Sequence, residues 1–336
     1  MNHTSREIHL VSYPQGTPVS NNFSVVSVAL PEPQAGQVQV QNLFLSVDPY
    51  MRGRMRPVKS YVPPFELGRA MDGGAVGTVV ASNDPQFAKG DLVLSFMGWR
   101  EAFVAEAKHL TKIDAHLAHN FSPSVFLGIL GMPGLTAWVG LHEIAQLRAS
   151  DTFFVSGAAG AVGSAAGQLA KLMGCRVIGS AGSLAKVAQL TQEFGFDSAF
   201  CYKDGNVTEL LQKAAPQGID VYFDNVGGDH LRAALNSLNV GGRVAVCGAI
   251  STYNNEKPAP GPDNLAQIIG KRLLLRGFIV SDHTPKMPQM LKEVSEALAQ
   301  KKLVAKETIY QGIEKMPQAF VDMLRGENVG KMLVKI

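Results

Sequence analysis

At 336 residues the chain has room for about two domains, each able to bury a substantial core. Charged residues make up 18% of it, below the ~25% of ordinary globular chains, and the basic residues are dispersed for a net charge of +3, which argues against long disordered tracts and against a nucleic-acid surface. No apolar run reaches the ~18 residues of a membrane span, and the N-terminal MNHTSREIHLV lacks the apolar region of a signal peptide.

Residues 1–122 read as strands and turns. Val38 to Leu45 mixes alternation with a continuous apolar end, and Gly74–Val80 and Leu92–Phe96 are further short β-rich runs. Pro-Glu-Pro (31–33), Asn83-Asp84-Pro85 and Lys89-Gly90-Asp91 punctuate them, the pattern of a β-barrel-like domain. Val58–Tyr61 and Pro63-Pro64 form an irregular loop suited to a pocket wall. His116 and His119 read as part of a solvated turn, with no further ligands nearby. Cys175, Cys201 and Cys247 sit in apolar surroundings without C-x-x-C spacing, so they are expected as buried thiols in a reducing compartment, and no metal site is expected.

The period changes near Ser122-Pro123. Val125–Leu130 and Leu135–Leu147 read as helices. Strand and helix then alternate: strands at 152–156, 176–180, 198–202, 220–224, 243–248 and 273–280, helices at 161–173, 184–194, 207–215, 231–238 and 265–269. Such alternation predicts a doubly wound parallel sheet with helices on both faces. Residues 287–300 follow as an amphipathic helix, and Thr308–Tyr310 and Met332–Ile336 as short strands that return the chain to its first domain. The edge strand 273–280, long and apolar, invites pairing with a second copy, so a homodimer is expected.

The stretch that organises the rest is TFFVSGAAGAVGSAAGQLAKLMG, residues 152–174. Strand, glycine turn and helix in that order form the first half of a nucleotide-binding βαβ unit, with Ala158, Gly160 and Gly163 in the three places of G-x-G-x-x-G. There the backbone can approach a pyrophosphate and the helix N-terminus supplies N–H donors. The second strand ends Ile178-Gly-Ser-Ala-Gly-Ser183 with no acid to bond a ribose 2′-hydroxyl, and Lys186 follows, so NADPH is favoured over NADH. Polar and small residues cluster after later strands, at Asp224–Gly228, Cys247–Asn254 and Phe278–Ser281, on the side where open sheets bind ligands. Among them Tyr253 has a phenol able to donate to a substrate oxygen.

The stretches LSVDPYMRGRM (45–55), LGMPGLTAW (130–138), 157–183, DVYFDNVGG (220–228), CGAISTYN (247–254), GFIVSD (277–282) and GENVGKMLVKI (326–336) identify the chain with a family. It resembles the zinc-independent medium-chain dehydrogenase/reductases, in the group of prostaglandin reductases, plant double-bond reductases and bacterial curcumin reductases. The resemblance implies a GroES-like β-barrel catalytic domain over 1–122, completed by 301–336, and a Rossmann NADPH-binding domain over 123–300. It implies NADPH-dependent reduction of a C=C bond conjugated to a carbonyl, in a cytoplasmic enzyme.

By the same resemblance the pyrophosphate lies on Gly160, Ala161, Val162 and Gly163, and the 2′-phosphate near Ser183, Lys186 and Tyr202. Asn225, the segment Cys247, Gly248, Ala249, Ile250, Ser251, Thr252 and Tyr253, then Phe278, Ile279, Val280 and Asn328, surround the cofactor, with Thr136 near the nicotinamide. Tyr253 is the expected enolate stabiliser, and Tyr50 and Tyr61 are expected in the substrate pocket. Two departures bear on the substrate: Trp138 stands where relatives often have Tyr, and loop 56–64 is of a variable type. A zinc-free quinone reductase and a non-catalytic dinucleotide-binding redox sensor are the alternatives.

Overall fold

The structure, a computed structural model, describes residues 4–336. The chain divides into two units, one built from residues up to Leu127 together with Glu307–Ile336, the other from Gly128–Lys306.

In the first unit β1 (Thr4–Leu10) and β2 (Phe23–Ala29) pair antiparallel. A larger sheet is built around β3 (Gln37–Ser46), whose ten residues give it partners on both sides. After a single helical turn, α1 (Met51–Arg54), come β4 (Ala75–Ser82), β5 (Leu92–Ser95), β6 (Ala102–Glu106) and β7 (Thr111–Lys112). Strands β4 and β6 both pair antiparallel with β3, and Val38, Val40, Val79, Val93 and Phe103 bury one cluster there. A second cluster centres on the fully buried Trp99, stacked on Phe23 at 5.9 Å and met edge-on by Phe320 at 6.0 Å. His116 and His119 lie exposed on a short helix, α2 (Ala115–Asn120), rather than in a turn, because the Asp114 carboxylate accepts the His116 and Leu117 N–H groups and caps it.

The expected helices 125–130 and 135–147 are different elements. A 3₁₀ turn covers Pro123–Leu127, and after Gly128 and Gly131 break the chain, α3 (Met132–Val139) runs into a π-helical turn at Gly140–Ile144. The alternation then follows: β8 (Thr152–Val155), α4 (Ala161–Leu172), β9 (Arg176–Ala181), α5 (Leu184–Gln192), β10 (Ser198–Cys201), α6 (Val207–Ala214), β11 (Ile219–Asp224), α7 (Gly228–Ser237), β12 (Leu238–Val246), α8 (Ala266–Lys271), β13 (Leu274–Gly277) and α9 (Met287–Ala299). The six strands form one parallel sheet in the order β10-β9-β8-β11-β12-β13. The winding therefore reverses between β8 and β11, and the ends of those two strands make the switch point.

Two strands depart from their expected bounds. Strand β12 begins at Leu238 rather than Arg243, its pairing with β11 shifting between Ile219 and Val221. The expected strand 273–280 is only the four residues of β13. Leu273 is taken up by the end of α8, its N–H bonding the Ile268 carbonyl, and after Gly277 the chain leaves the sheet as the Phe278 ring packs edge-on against Phe223 at 6.3 Å.

The C-terminal return adds β14 (Glu307–Gln311), α10 (Met316–Leu324) and β15 (Lys331–Lys335). Strand β15 pairs parallel with β14 and antiparallel with β3. Helix α10 was not among the expected elements, although Ile313, Met316, Phe320 and Met323 bury a face at helical spacing. Strand β15 also carries a buried ion pair: Lys331 Nζ donates to Asp48 Oδ1 at 2.9 Å and to the Val47 carbonyl at 2.6 Å. Lys331→Met leaves that carboxylate buried and uncompensated, so it is expected to cost about 3–5 kcal/mol of unfolding free energy, most of it recovered when Asp48→Asn is added. Urea denaturation of the single and double variants checks this, and a single-variant loss under about 1 kcal/mol contradicts it.

Candidate functional site

Apolar residues fill β8 and β11, and the first polar side chains beyond the core mark where each strand meets its loop. Ser156 follows β8 fully buried, and Asp224 ends β11 almost fully buried. The Asn225 N–H donates to Ser156 Oγ at 3.1 Å, and Asn225 Nδ2 donates to the Ser156 carbonyl at 2.8 Å. These bonds tie the loop after β11 to the start of the glycine turn after β8.

That turn enters α4 through Gly160 as N-cap, a residue with no side chain to satisfy the first-turn N–H groups of Ala161, Val162 and Gly163. The turn is also too tight for larger residues. A Cβ at Gly163 would lie 2.3 Å from the Gly157 carbonyl oxygen and 2.8 Å from Ala158 Cα. An uncapped helix N-terminus reached by close backbone packing fits a diphosphate.

At the end of β9, Ser183 caps α5, its hydroxyl accepting the Lys186 N–H at 3.4 Å, so Lys186 sits in the first helical turn. Tyr202, 36% exposed, brings its phenol across Gly182, 3.0 Å from where a Cβ would stand there. Its ring meets that of buried His230 at 5.2 Å, near perpendicular, and burial lowers the His230 imidazole to about 4, leaving it neutral at physiological pH. Tyr202 thus lies against Gly182, Ser183 and Lys186 follow at the start of α5, and no carboxylate stands among the residues of that turn.

The loop after β12 is braced on the loop after β11. Cys247 and Gly248 donate their N–H groups to the Asp224 carbonyl at 2.9 Å each, and Ile250 N–H to the Asn225 carbonyl at 3.2 Å. Ser251 donates its hydroxyl to the Val226 carbonyl at 2.6 Å, and Thr252 its own to the Ala249 carbonyl at 2.9 Å. The Tyr253 phenol oxygen folds back to accept the Ala249 N–H at 3.3 Å. Burial, with Asp224 adding, pushes the Cys247 thiol up to about 12.

Phe278, Ile279 and Val280 are half-buried where the chain leaves the sheet. Thr136, buried on α3, donates its hydroxyl to the Met132 carbonyl at 2.8 Å. Trp138 is engaged in packing: its indole N–H donates to Glu293 Oε2 at 2.7 Å, tying α3 to α9, and its ring lies 4.4 Å from that of His142.

The remaining expected site residues belong to the first unit. Tyr50 caps α1, and burial, with the Asp48 carboxylate adding, pushes its phenol above the ordinary range. Tyr61 is 62% exposed. Asn328 donates through Nδ2 to the Gly330 carbonyl at 2.8 Å. Sequence reasoning assigned no role to Ser156 or Tyr222. Their signal was a serine closing the apolar run TFFVS and a tyrosine two residues before the strand-terminal aspartate.

Among the described residues no group of three or more His, Cys, Asp or Glu side chains is arranged to hold a metal ion. Residues 6–113 match a family model described as the N-terminal domain of oxidoreductase, and residues 161–296 one described as zinc-binding dehydrogenase. The NADPH-dependent curcumin reductase of Escherichia coli (strain K12) is 40% identical over 332 residues, 97% of this chain and 95% of that protein. The NADP(+)-dependent 2-alkenal reductase of Nicotiana tabacum is 41% identical over 339 residues, 99% of this chain and 98% of that protein. The crystal structure of CurA from Vibrio vulnificus in complex with NADPH superposes with a TM-score of 0.93 at 40% identity, covering 98% of each chain. For this chain, Gly163→Ala forces a backbone clash that no side-chain rotation relieves. It is expected to weaken NADPH binding by about tenfold or more, measured by fluorescence titration. An unchanged affinity contradicts the assignment of this turn to the diphosphate.

Proposed function

The chain belongs to the medium-chain dehydrogenase/reductase family, and we propose that it reduces the C=C bond of α,β-unsaturated ketones and aldehydes with NADPH. The reading rests on full-length identity of about two residues in five to two double-bond reductases, together with a site whose residues suit each part of the reaction.

In this reading the first turn of α4 holds the pyrophosphate through Gly160, Ala161, Val162 and Gly163. Lys186 and Tyr202, beside Ser183, take the 2′-phosphate, a group that NADH lacks. Asn225, the 247–253 segment, Phe278, Ile279, Val280 and Asn328 border the cofactor. Thr136 spends its proton on the Met132 carbonyl, so it offers the nicotinamide an acceptor. Tyr50 and Tyr61 are the proposed substrate contacts.

When bound, NADPH supplies a hydride for the β-carbon of the substrate. Charge then develops on the carbonyl oxygen, and a donor placed there stabilises the transition state more than the ground state. We assign that donor to Tyr253. It stands on the loop after β12, and its phenol oxygen accepts the Ala249 N–H, a bond that polarises a phenol O–H toward donation.

We further propose a homodimer joined along the open edge of β13, with exposed Leu274 on that strand and Ile269 on α8 as apolar surface for the second copy. The free thiols Cys175, Cys201 and Cys247 suit a cytoplasmic enzyme.

Steady NADPH oxidation with an alkenone, and none with a quinone or without acceptor, is the expected result. Turnover with the quinone alone would select quinone reduction instead, and binding without turnover a redox sensor. Tyr253→Phe keeps the ring and removes the donor, so kcat should fall on the order of tenfold to a hundredfold with little change in NADPH affinity. A Phe variant with full kcat would make Tyr253 a pocket wall only. Light scattering at micromolar concentration should give the dimer mass, and a monomer mass excludes pairing through β13.

A further inference from the structure

The least expected feature of the site lies beneath it. Asp224 Oδ1 gathers three close donors, the Tyr222 phenol at 2.7 Å, the Val226 N–H at 3.0 Å and the Gly227 N–H at 2.7 Å, with the Ser156 hydroxyl more distant at 3.5 Å. Ser156 Oγ stands 2.8 Å from the same phenol and accepts the Asn225 N–H at 3.1 Å. Tyr222 is fully buried and Asp224 is 1% exposed, so neither can touch a ligand through a side-chain surface of any size. A buried carboxylate is costly unless its partners match it, which makes this network a constraint with few alternative arrangements.

What the network constrains is the turn over it. With the Val226 and Gly227 N–H groups drawn inward to Asp224, the turn is committed to Gly227 at φ 70 and Gly228 at φ 51, both in the left-handed region. The main chain of the same residue braces the neighbouring loop, its carbonyl accepting the Cys247 and Gly248 N–H groups. The Asn225 side chain is oriented as well. One Nδ2 hydrogen is committed to the Ser156 carbonyl, which fixes the orientation of the amide and leaves Oδ1 as the acceptor it can offer a ligand.

We infer that Asp224, with Tyr222 and Ser156, is the positioning residue of the cofactor site. Its buried carboxylate holds the Asn225–Gly228 turn in the conformation that presents Asn225 as a hydrogen-bond acceptor to the hydroxyl and amide donors of NADPH. This rests on the reading of the site as an NADPH site. The second strand-end loop is held through the backbone of the same residue, so side-chain changes at 224 act first on Asn225 and only secondarily on the loop that bears Tyr253.

The test is a titration of NADPH against the full-length wild type, Tyr222→Phe and Asp224→Asn, followed by fluorescence, with the melting temperature of each cofactor-free protein measured alongside. Tyr222→Phe keeps the ring and removes one donor. Asp224→Asn keeps an acceptor oxygen and removes the charge that draws three donors together. The NADPH dissociation constant should rise about threefold to tenfold in the first and about tenfold to a hundredfold in the second. In steady state the KM for NADPH should rise by a larger factor than kcat falls. Folded variants that bind NADPH as the wild type does overturn the inference and leave the proposed function standing. So does a loss shared equally by KM and kcat that follows the melting temperature, because it marks a fold-wide role. If Asp224→Asn does not fold, Tyr222→Phe decides alone. A wild type that fails to bind NADPH removes the functional reading and the inference with it.

Discussion

A parallel strand covered on both faces has nowhere to place a polar side chain except at its ends. Phe153, Phe154 and Val155 in β8, and Val221, Tyr222 and Phe223 in β11, are all fully buried, so the one polar side-chain atom these six residues carry is the Tyr222 hydroxyl. That hydroxyl needs a partner where water is absent, and it finds one at the strand's own end in Asp224, beside Ser156. The chemistry of the switch point follows from this demand. The strands must be apolar to form the core, so every hydrogen-bonding group is collected where the loops begin.

Helix starts show the same logic in two forms. Asp114, Ser183 and Asn206 each precede a helix and satisfy its first N–H groups with a side-chain oxygen. Gly160 precedes α4 and satisfies none. Helices α3 and α7 likewise start without a side-chain cap, so what singles out α4 is the tight glycine turn that leads into its open N-terminus. A side-chain cap at position 160 would compete with a phosphate for the same donors.

How much of this was legible in the sequence depends on whether the cause was local. The alternation from 152 onward sets α4, β9, α5 and β11 within a residue or two, because apolar period and glycine or polar stops act along the chain. Strand β13 was overdrawn because Phe278, apolar and β-favouring, packs against Phe223 from a loop, a contact the local pattern does not contain. Helix α10 was hidden between two short strands, its apolar face recognisable only once Trp99 and β3 supply a surface to cover. Trp138 looked like a substrate determinant by comparison with relatives, and its indole N–H bonds to Glu293, more than 150 residues away along the chain. At the candidate site, the strand–glycine turn–helix geometry around Gly160 and Gly163 could be read from spacing. The Ser156–Tyr222–Asp224 network could not, since it joins two strands that are neighbours only because the sheet winding reverses between them.

Enones are Michael acceptors, and an enzyme that takes them as substrates works in the presence of its own alkylating agents. The nucleophile such compounds attack in proteins is the cysteine thiolate, not the thiol. Burial pushes the Cys175 thiol up to about 11 and that of Cys247 to about 12, so both favour the protonated thiol at neutral pH. Cys175 is further committed through its Sγ to the Arg148 carbonyl, and Cys201 is buried at the end of β10. Cys247, half-buried on the loop after β12, is the more open of the three, whereas the packing of the sheet buries Cys175 and Cys201 away from electrophiles of the class proposed as substrates.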